Sequence, residues 1–168
     1  MKRQIDRRTQ LPSLISTSPK PRGVELGVAR GSYSQDLMRY PWETLYLVDR
    51  WSDHHDHREM KAVVSHFKKY PNVKIIHDTF TNARPMIDDA SLDFVYIDGY
   101  AHLGQEGGQT LEEWWTALKP GGVFCGHDYH ERWQPTIDVV NAFVEKHNIE
   151  HLGLTKHDQY PSWWCIRT

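Results

Sequence analysis

The run Val24-Glu25-Leu26-Gly27-Val28-Ala29-Arg30-Gly31 most constrains what this chain can fold into. An apolar strand enters a glycine-punctuated turn and then a helix. A second apolar run, TLYLVD over 44–49, ends in Asp49, 22 residues beyond Gly27. That layout is a βαβ unit that binds a nucleoside, with the acid placed to hold a ribose. Glu25 narrows it further. An acid at the tip of the first strand suits a ligand with a positive ammonium group and is awkward beside a pyrophosphate.

Apolar runs and helical spacing alternate along the rest of the chain. Strands are expected at 22–27, 44–49, 73–77, 92–98 and 122–126, with two more at 149–155 and 163–167. Helices are expected at 32–40, 54–70, 81–88, 107–118 and 135–147. In the second of these, Met60, Val63, Val64 and Phe67 share one face. Alternation with short connections argues for an α/β protein with a parallel sheet. In such sheets ligands sit beyond the carboxyl ends of the strands. Glu25, Asp49, Asp78, Asp98, His127 and Asp128 all fall at strand ends, and five of these six are carboxylates.

At 168 residues the chain fits one domain, with 1–22 as a lead-in and 23–168 as the folded unit. With a formal net charge of −2, nothing in the total suggests a nucleic-acid or polyanion partner. The basic start (Lys2, Arg3, Arg7, Arg8) reads as a solvated tail. Cys125 and Cys165 lie in apolar runs and read as buried free thiols. No apolar run approaches the roughly 18 residues of a membrane span, and no signal peptide opens the sequence. A cytoplasmic protein without membrane or nucleic-acid partners is expected.

A dinucleotide fingerprint needs Gly-x-Gly-x-x-Gly, but from Gly27 this chain has Ala29 and then Ser32 in the next two glycine positions. The lack of a full phosphate-cradling loop points to a cofactor without phosphates. S-adenosylmethionine answers each demand: a ribose for Asp49, a cationic methionine end near Glu25, and no phosphate. The chain resembles the class I S-adenosylmethionine-dependent methyltransferases, in their small-molecule O-methyltransferase-like branch. VELGVARGSYS resembles the first motif of that family, LYLVDRW its ribose-binding second strand, LDFVYIDGYAH its fourth strand, and LKPGGVFCGHDY its Lys-Pro-Gly-Gly turn and fifth strand.

The resemblance implies a Rossmann-like, doubly wound, mostly parallel seven-stranded sheet with helices on both faces and an antiparallel last strand. It assigns Glu25, Gly27 and Gly31 to the methionine end of the cofactor and Asp49 to the ribose hydroxyls. Arg50 and Trp51 would lie beside the adenine, with Asp78 and Thr79 around its amine. A core aromatic is the alternative for Trp51, and a helix cap for Asp49. Asp98 would orient cofactor or substrate.

Methyl transfer to oxygen needs an aligned acceptor that loses a proton. His127, Asp98 or Asp128 can serve as the base. Alternatively, Asp98 and Asp128 hold a divalent cation such as Mg2+ that lowers the acceptor's pKa. Tyr100 stands where some relatives carry an acid, and His127-Asp128 replaces their pair of acids, which weakens the metal route. His102 and His130 would line the acceptor pocket or face solvent. The Ser52–His57 cluster of histidines and acids lies at a helix start and lacks zinc-ligand spacing.

A hydroxyl of a small molecule is the expected acceptor, since Asp98-Gly99-Tyr100-Ala101 lacks the Pro-Pro-Tyr pattern of base N-methylation. The alternatives are a nicotinamide-linked oxidoreductase and a non-catalytic S-adenosylmethionine-binding protein. Few residues lie outside the core pattern, so the acceptor pocket is expected to be open or closed by a second subunit, as in a homodimer.

Overall fold

The computed structural model describes residues 4–52, 55–99 and 107–168. Seven strands, β1 (Arg22–Leu26), β2 (Thr44–Asp49), β3 (Val73–His77), β4 (Leu92–Ile97), β5 (Leu118–Gly126), β6 (Gly153–Leu154) and β7 (Trp163–Ile166), form one sheet in the order β3-β2-β1-β4-β5-β7-β6. Strands β1 to β5 are parallel, and β7 runs antiparallel to both β5 and β6. The helices are α1 (Ser32–Leu37), α2 (His57–Phe67), α3 (Phe80–Ala83), α4 (Gln109–Ala117) and α5 (Gln134–Lys146). The chain winds outward from β1 to β3, returns to β4 on the other side, and so opens a crevice beyond the ends of β1 and β4.

Burial on both faces explains why these strands read as continuous apolar runs. Val24, Leu26, Val48, Val95, Ile97 and Phe124 pack with Phe80, Leu111, Trp114, Trp115, Val140 and Phe143 of α3, α4 and α5. On the other face Leu45, Leu47, Phe94, Tyr96, Val123 and Cys125 meet Tyr33, Leu37, Val63 and Phe67 of α1 and α2. A 3-10 helix at Arg8–Leu14 joins this second face through buried Leu11 and Leu14. The lead-in is therefore built into the core.

Boundaries moved for local reasons. Asp56 caps α2 by accepting from the amides of Arg58 and Glu59, so the helix begins at His57 and not at 54. Strand β5 starts at Leu118, because Leu118 already pairs with Leu92 before an irregularity in the ladder. Helix α4 accordingly ends one residue earlier than its pattern suggested. Strand β6 shrinks to two residues, since 149 is still hydrogen-bonded to the end of α5 (Ile149 N to Val144 O).

One buried acid ties three segments together at the amino end of β4. The Asp93 carboxylate accepts from Thr17 Oγ1 (2.6 Å), the Arg22 amide (2.8 Å) and Lys119 Nζ (2.9 and 3.0 Å). It thereby binds the lead-in and the start of β5 to β4. Asp93→Ala strands the Arg22 amide and loses the ion pair, with an expected cost of about 2–3 kcal/mol in urea denaturation. A loss below about 0.5 kcal/mol would show that the latch contributes little.

Candidate active site

Register aligns the strand tips that carry the polar residues. Leu26 faces Ile97, Ile97 faces Gly126, and Asp49 faces His77. The ladder continues one residue past each strand: Asp98 N bonds Leu26 O, His127 N bonds Ile97 O, Gly27 N bonds Val48 O and Asp78 N bonds Asp49 O. Glu25, Asp49, Asp78, Asp98, His127 and Asp128 thus share one edge of the sheet. Among the described residues, three of the five non-glycine residues with left-handed φ, Ala29, Trp51 and Asp128, lie just past the ends of β1, β2 and β5. Strain of this kind gathers where a site is built.

Gly27 is demanded by the neighbouring strand. Its φ is +94°, and a Cβ there would stand 1.7 Å from the Asp98 carbonyl oxygen. Gly31 also takes a positive φ, +75°, against Val63 and Phe67 of α2. Between them the turn is held by Asp49. Its Oδ2 accepts from the amides of Val28 and Ala29 (2.8 Å each), and its Oδ1 accepts from Trp51 N (2.8 Å). A carboxylate offers about four lone pairs, so one remains for a ribose hydroxyl. The donor set fits a nucleoside with a single hydrogen bond to Asp49; the residue is not a helix cap, since Gly31 stands at the N-cap of α1 and Asp56 at that of α2.

Glu25 is 1% exposed and lies beneath the turn, where Ser34 Oγ donates to its Oε2 at 2.5 Å. Burial pushes its carboxyl up to about 8, with Asp98 and Asp49 adding to the rise while the Ser34 bond and Arg8 oppose it.

Farther along the edge, Trp51 is buried in the core with Val63 and Phe67, and its Nε1 donates to Ala29 O at 2.9 Å. Packing matches the core-aromatic alternative for this ring. The Arg50 carbonyl meets His77 Nε2 at 2.9 Å. Asp78 Oδ1 accepts from Thr79 N and Asn82 Nδ2 (2.8 Å each), and Thr79 caps α3 through Asn82 N. Arg50, Asp78 and Thr79 therefore stand just past the carboxyl ends of β2 and β3, where they shape the turns.

The β4–β5 side holds residues that the sequence did not single out. Arg8 is no solvated tail. Its carbonyl accepts from Tyr33 Oη (2.9 Å), its amide donates to Asp158 (2.7 Å), and its guanidinium lies 4.9 Å from the Tyr33 ring centre. From there Nη1 reaches both Asp98 Oδ2 and Tyr96 Oη at 3.4 Å. Tyr96 Oη meets Ser162 Oγ (3.3 Å), which meets His127 Nδ1 (3.1 Å), and His127 Nε2 stands 3.5 Å from Asp128 Oδ1. Tyr96 could have been found from strand alternation, being two residues before Asp98. Nothing local marks Arg8 or Ser162.

The N-terminal segment and the 155–162 loop are joined here, as Lys156 N and His157 N both donate to Asp6 O. His130 packs edge-on against Tyr160, which also meets Trp133. Tyr100 and His102 lie outside the described residues. Among the described residues no group of three or more His, Cys, Asp or Glu is arranged to hold a metal. With a guanidinium against Asp98, these residues do not fit the tentative Asp98–Asp128 cation site.

A switch point between β1 and β4, an acid folded into the first turn and a polar cluster at the ends of β4 and β5 define a class of nucleoside-cofactor transferases. A profile described as a methyltransferase domain matches residues 24–129, more than half of the chain, and the chain belongs to this family as a class I S-adenosylmethionine-dependent methyltransferase. Among solved structures it is similar to a Streptococcus mutans protein described as a methyltransferase and solved with S-adenosylhomocysteine (12% identity, 98% of this chain and 100% of that one, TM-score 0.73). It is similar to an S-adenosylmethionine-dependent O-methyltransferase of Thermotoga maritima (13%, 99% and 68%, 0.67). It also resembles an rRNA methylase of Streptococcus thermophilus (13%, 94% and 92%, 0.67). At these identities the likeness speaks to fold alone. Among curated proteins, no sequence matches this chain.

Glu25 yields a signed pH dependence. Its folded-state pKa is raised, so the stability it confers is fully present below its ordinary value of 4.5 and is lost as pH rises through about 8. Denaturant midpoints of the wild type should fall across that window relative to Glu25→Gln, which keeps the Ser34 bond and cannot ionise. Parallel curves for the two proteins would contradict a buried neutral carboxyl.

Proposed function

We propose that this methyltransferase acts on a hydroxyl oxygen of a small molecule. The observation that carries the reading is the polar cluster of Arg8, Tyr96, Asp98, Ser162, His127 and Asp128 at the ends of β4 and β5, beside the Gly27–Gly31 turn. When bound, S-adenosylmethionine supplies a methyl group on an activated sulfonium carbon. The protein then has two tasks: to align the acceptor oxygen and to receive its proton. Asp49 would hold a ribose hydroxyl with its remaining lone pair. Glu25, buried under the turn, would lie near the cofactor's cationic end, and that charge would favour its ionised form.

Asp98, His127 and Asp128 supply the groups that can orient an acceptor hydroxyl or take its proton. Arg8 brings a fixed positive charge to the same place, where it can stabilise an oxygen that is losing its proton. A formal charge of −2 and the Asp-Gly-Tyr run after β4 support a small acceptor over a nucleic acid. The N-terminal segment and the 155–162 loop, joined through Asp6 and Asp158, would supply a cover from within the chain. A homodimer remains a further proposal, checked by light scattering. Among the described residues no helix is long and apolar enough to cross a membrane.

Calorimetry tests the cofactor side. Asp49→Asn should weaken S-adenosylhomocysteine binding at least about tenfold while thermal melting reports an intact fold. Asp128→Ala should spare binding and remove methyl transfer in a screen of hydroxylated acceptors with labelled donor. Full activity in EDTA is expected. Activity lost with the chelator and restored by Mg2+ would overturn the metal-free reading.

A further inference from the structure

Arg8 gives the hydrogen-bond chain at the β4–β5 edge a direction. A guanidinium only donates, so Tyr96 Oη must accept from Arg8 Nη1. Tyr96 is fully buried, and among the described residues its one other hydroxyl partner is Ser162 Oγ. The phenolic proton therefore goes to Ser162 Oγ. Ser162 is also fully buried, and among the described residues its remaining hydroxyl contact is His127 Nδ1, at 3.1 Å. Its proton is thus directed at the imidazole. Reversing the chain would leave the buried Tyr96 hydroxyl proton without an acceptor, a cost that disfavours that arrangement by about tenfold or more.

We propose that Arg8, Tyr96 and Ser162 are positioning residues that hold His127 in one orientation and one tautomer, with Nδ1 accepting and Nε2 carrying the proton. Held this way, His127 is a hydrogen-bond donor toward Asp128 and the crevice. It is not the group that takes the acceptor's proton, and that role passes to a carboxylate at the same edge. The tautomer stands independently of the proposed hydroxyl acceptor. Only its catalytic meaning rests on that reading.

Long-range 1H–15N correlation spectra of 15N-histidine-labelled protein at mildly alkaline pH test this without cofactor or acceptor. Loss of one signal set in His127→Gln assigns the resonance. In the wild type His127 should show an unprotonated Nδ1 and a protonated Nε2 as a single form. Tyr96→Phe should turn this into a mixture of tautomers, and Arg8→Met should do the same from the far end of the chain, with Arg8→Lys restoring the single form. Ser162→Ala offers a second break in the chain if a Tyr96 variant misfolds. A protonated Nδ1 in the wild type would overturn the proposal. So would an unchanged His127 signal in folded Arg8→Met and Ser162→Ala proteins.

Discussion

The close approach of β1 and β4 at the switch point is the constraint on which the rest of the site depends. Gly27 lies against the Asp98 carbonyl with no room for a side chain, and Asp98 N is bonded to Leu26 O. That contact sets the two strand ends side by side. It places the turn after β1 beneath the acid of β2, and the end of β4 next to His127 of β5. A shift of one residue would send each tip's side chain to the opposite face of the sheet.

Buried acids do different work at the two ends of the sheet. Asp93, at the amino end of β4, is fully satisfied by a hydroxyl, an amide and an ammonium, and it acts as a latch. Asp49, at the carboxyl end of β2, spends three lone pairs on backbone amides and shapes the first turn. Glu25 has a serine for a partner and is driven toward its neutral form. Structural acids are closed systems here, whereas those near the crevice keep some capacity for a ligand.

Much of the fold was legible because parallel strands buried on both faces leave continuous apolar runs, and helices between them leave a different period. LYLVD and LDFVYID ended where their runs ended, so Asp49 and Asp98 could be placed at strand tips. The start of β5 was hidden, because Lys119-Pro120-Gly121-Gly122 has turn composition and forms the irregularity between the Leu92–Leu118 and Phe94–Val123 pairs. Trp51 carried no signal separating cleft from core, since an indole suits either. Its burial is a tertiary outcome: the ring joins the core cluster that includes Val63 and Phe67 of α2.

By itself the sequence determined the alternation of strands and helices, the order of acids along the chain, and through Gly27, Glu25 and Asp49 the kind of cofactor expected. These are local or periodic properties, set by backbone geometry and by which residues avoid water. Only the tertiary structure decided that Arg8, 90 residues from Asp98, reaches the end of β4, and that Ser162 stands between Tyr96 and His127. Side-chain hydrogen bonds between distant segments leave no periodicity in a chain. They exist because the 3-10 helix at Arg8–Leu14 and the loop before β7 are both held over the same edge of the sheet.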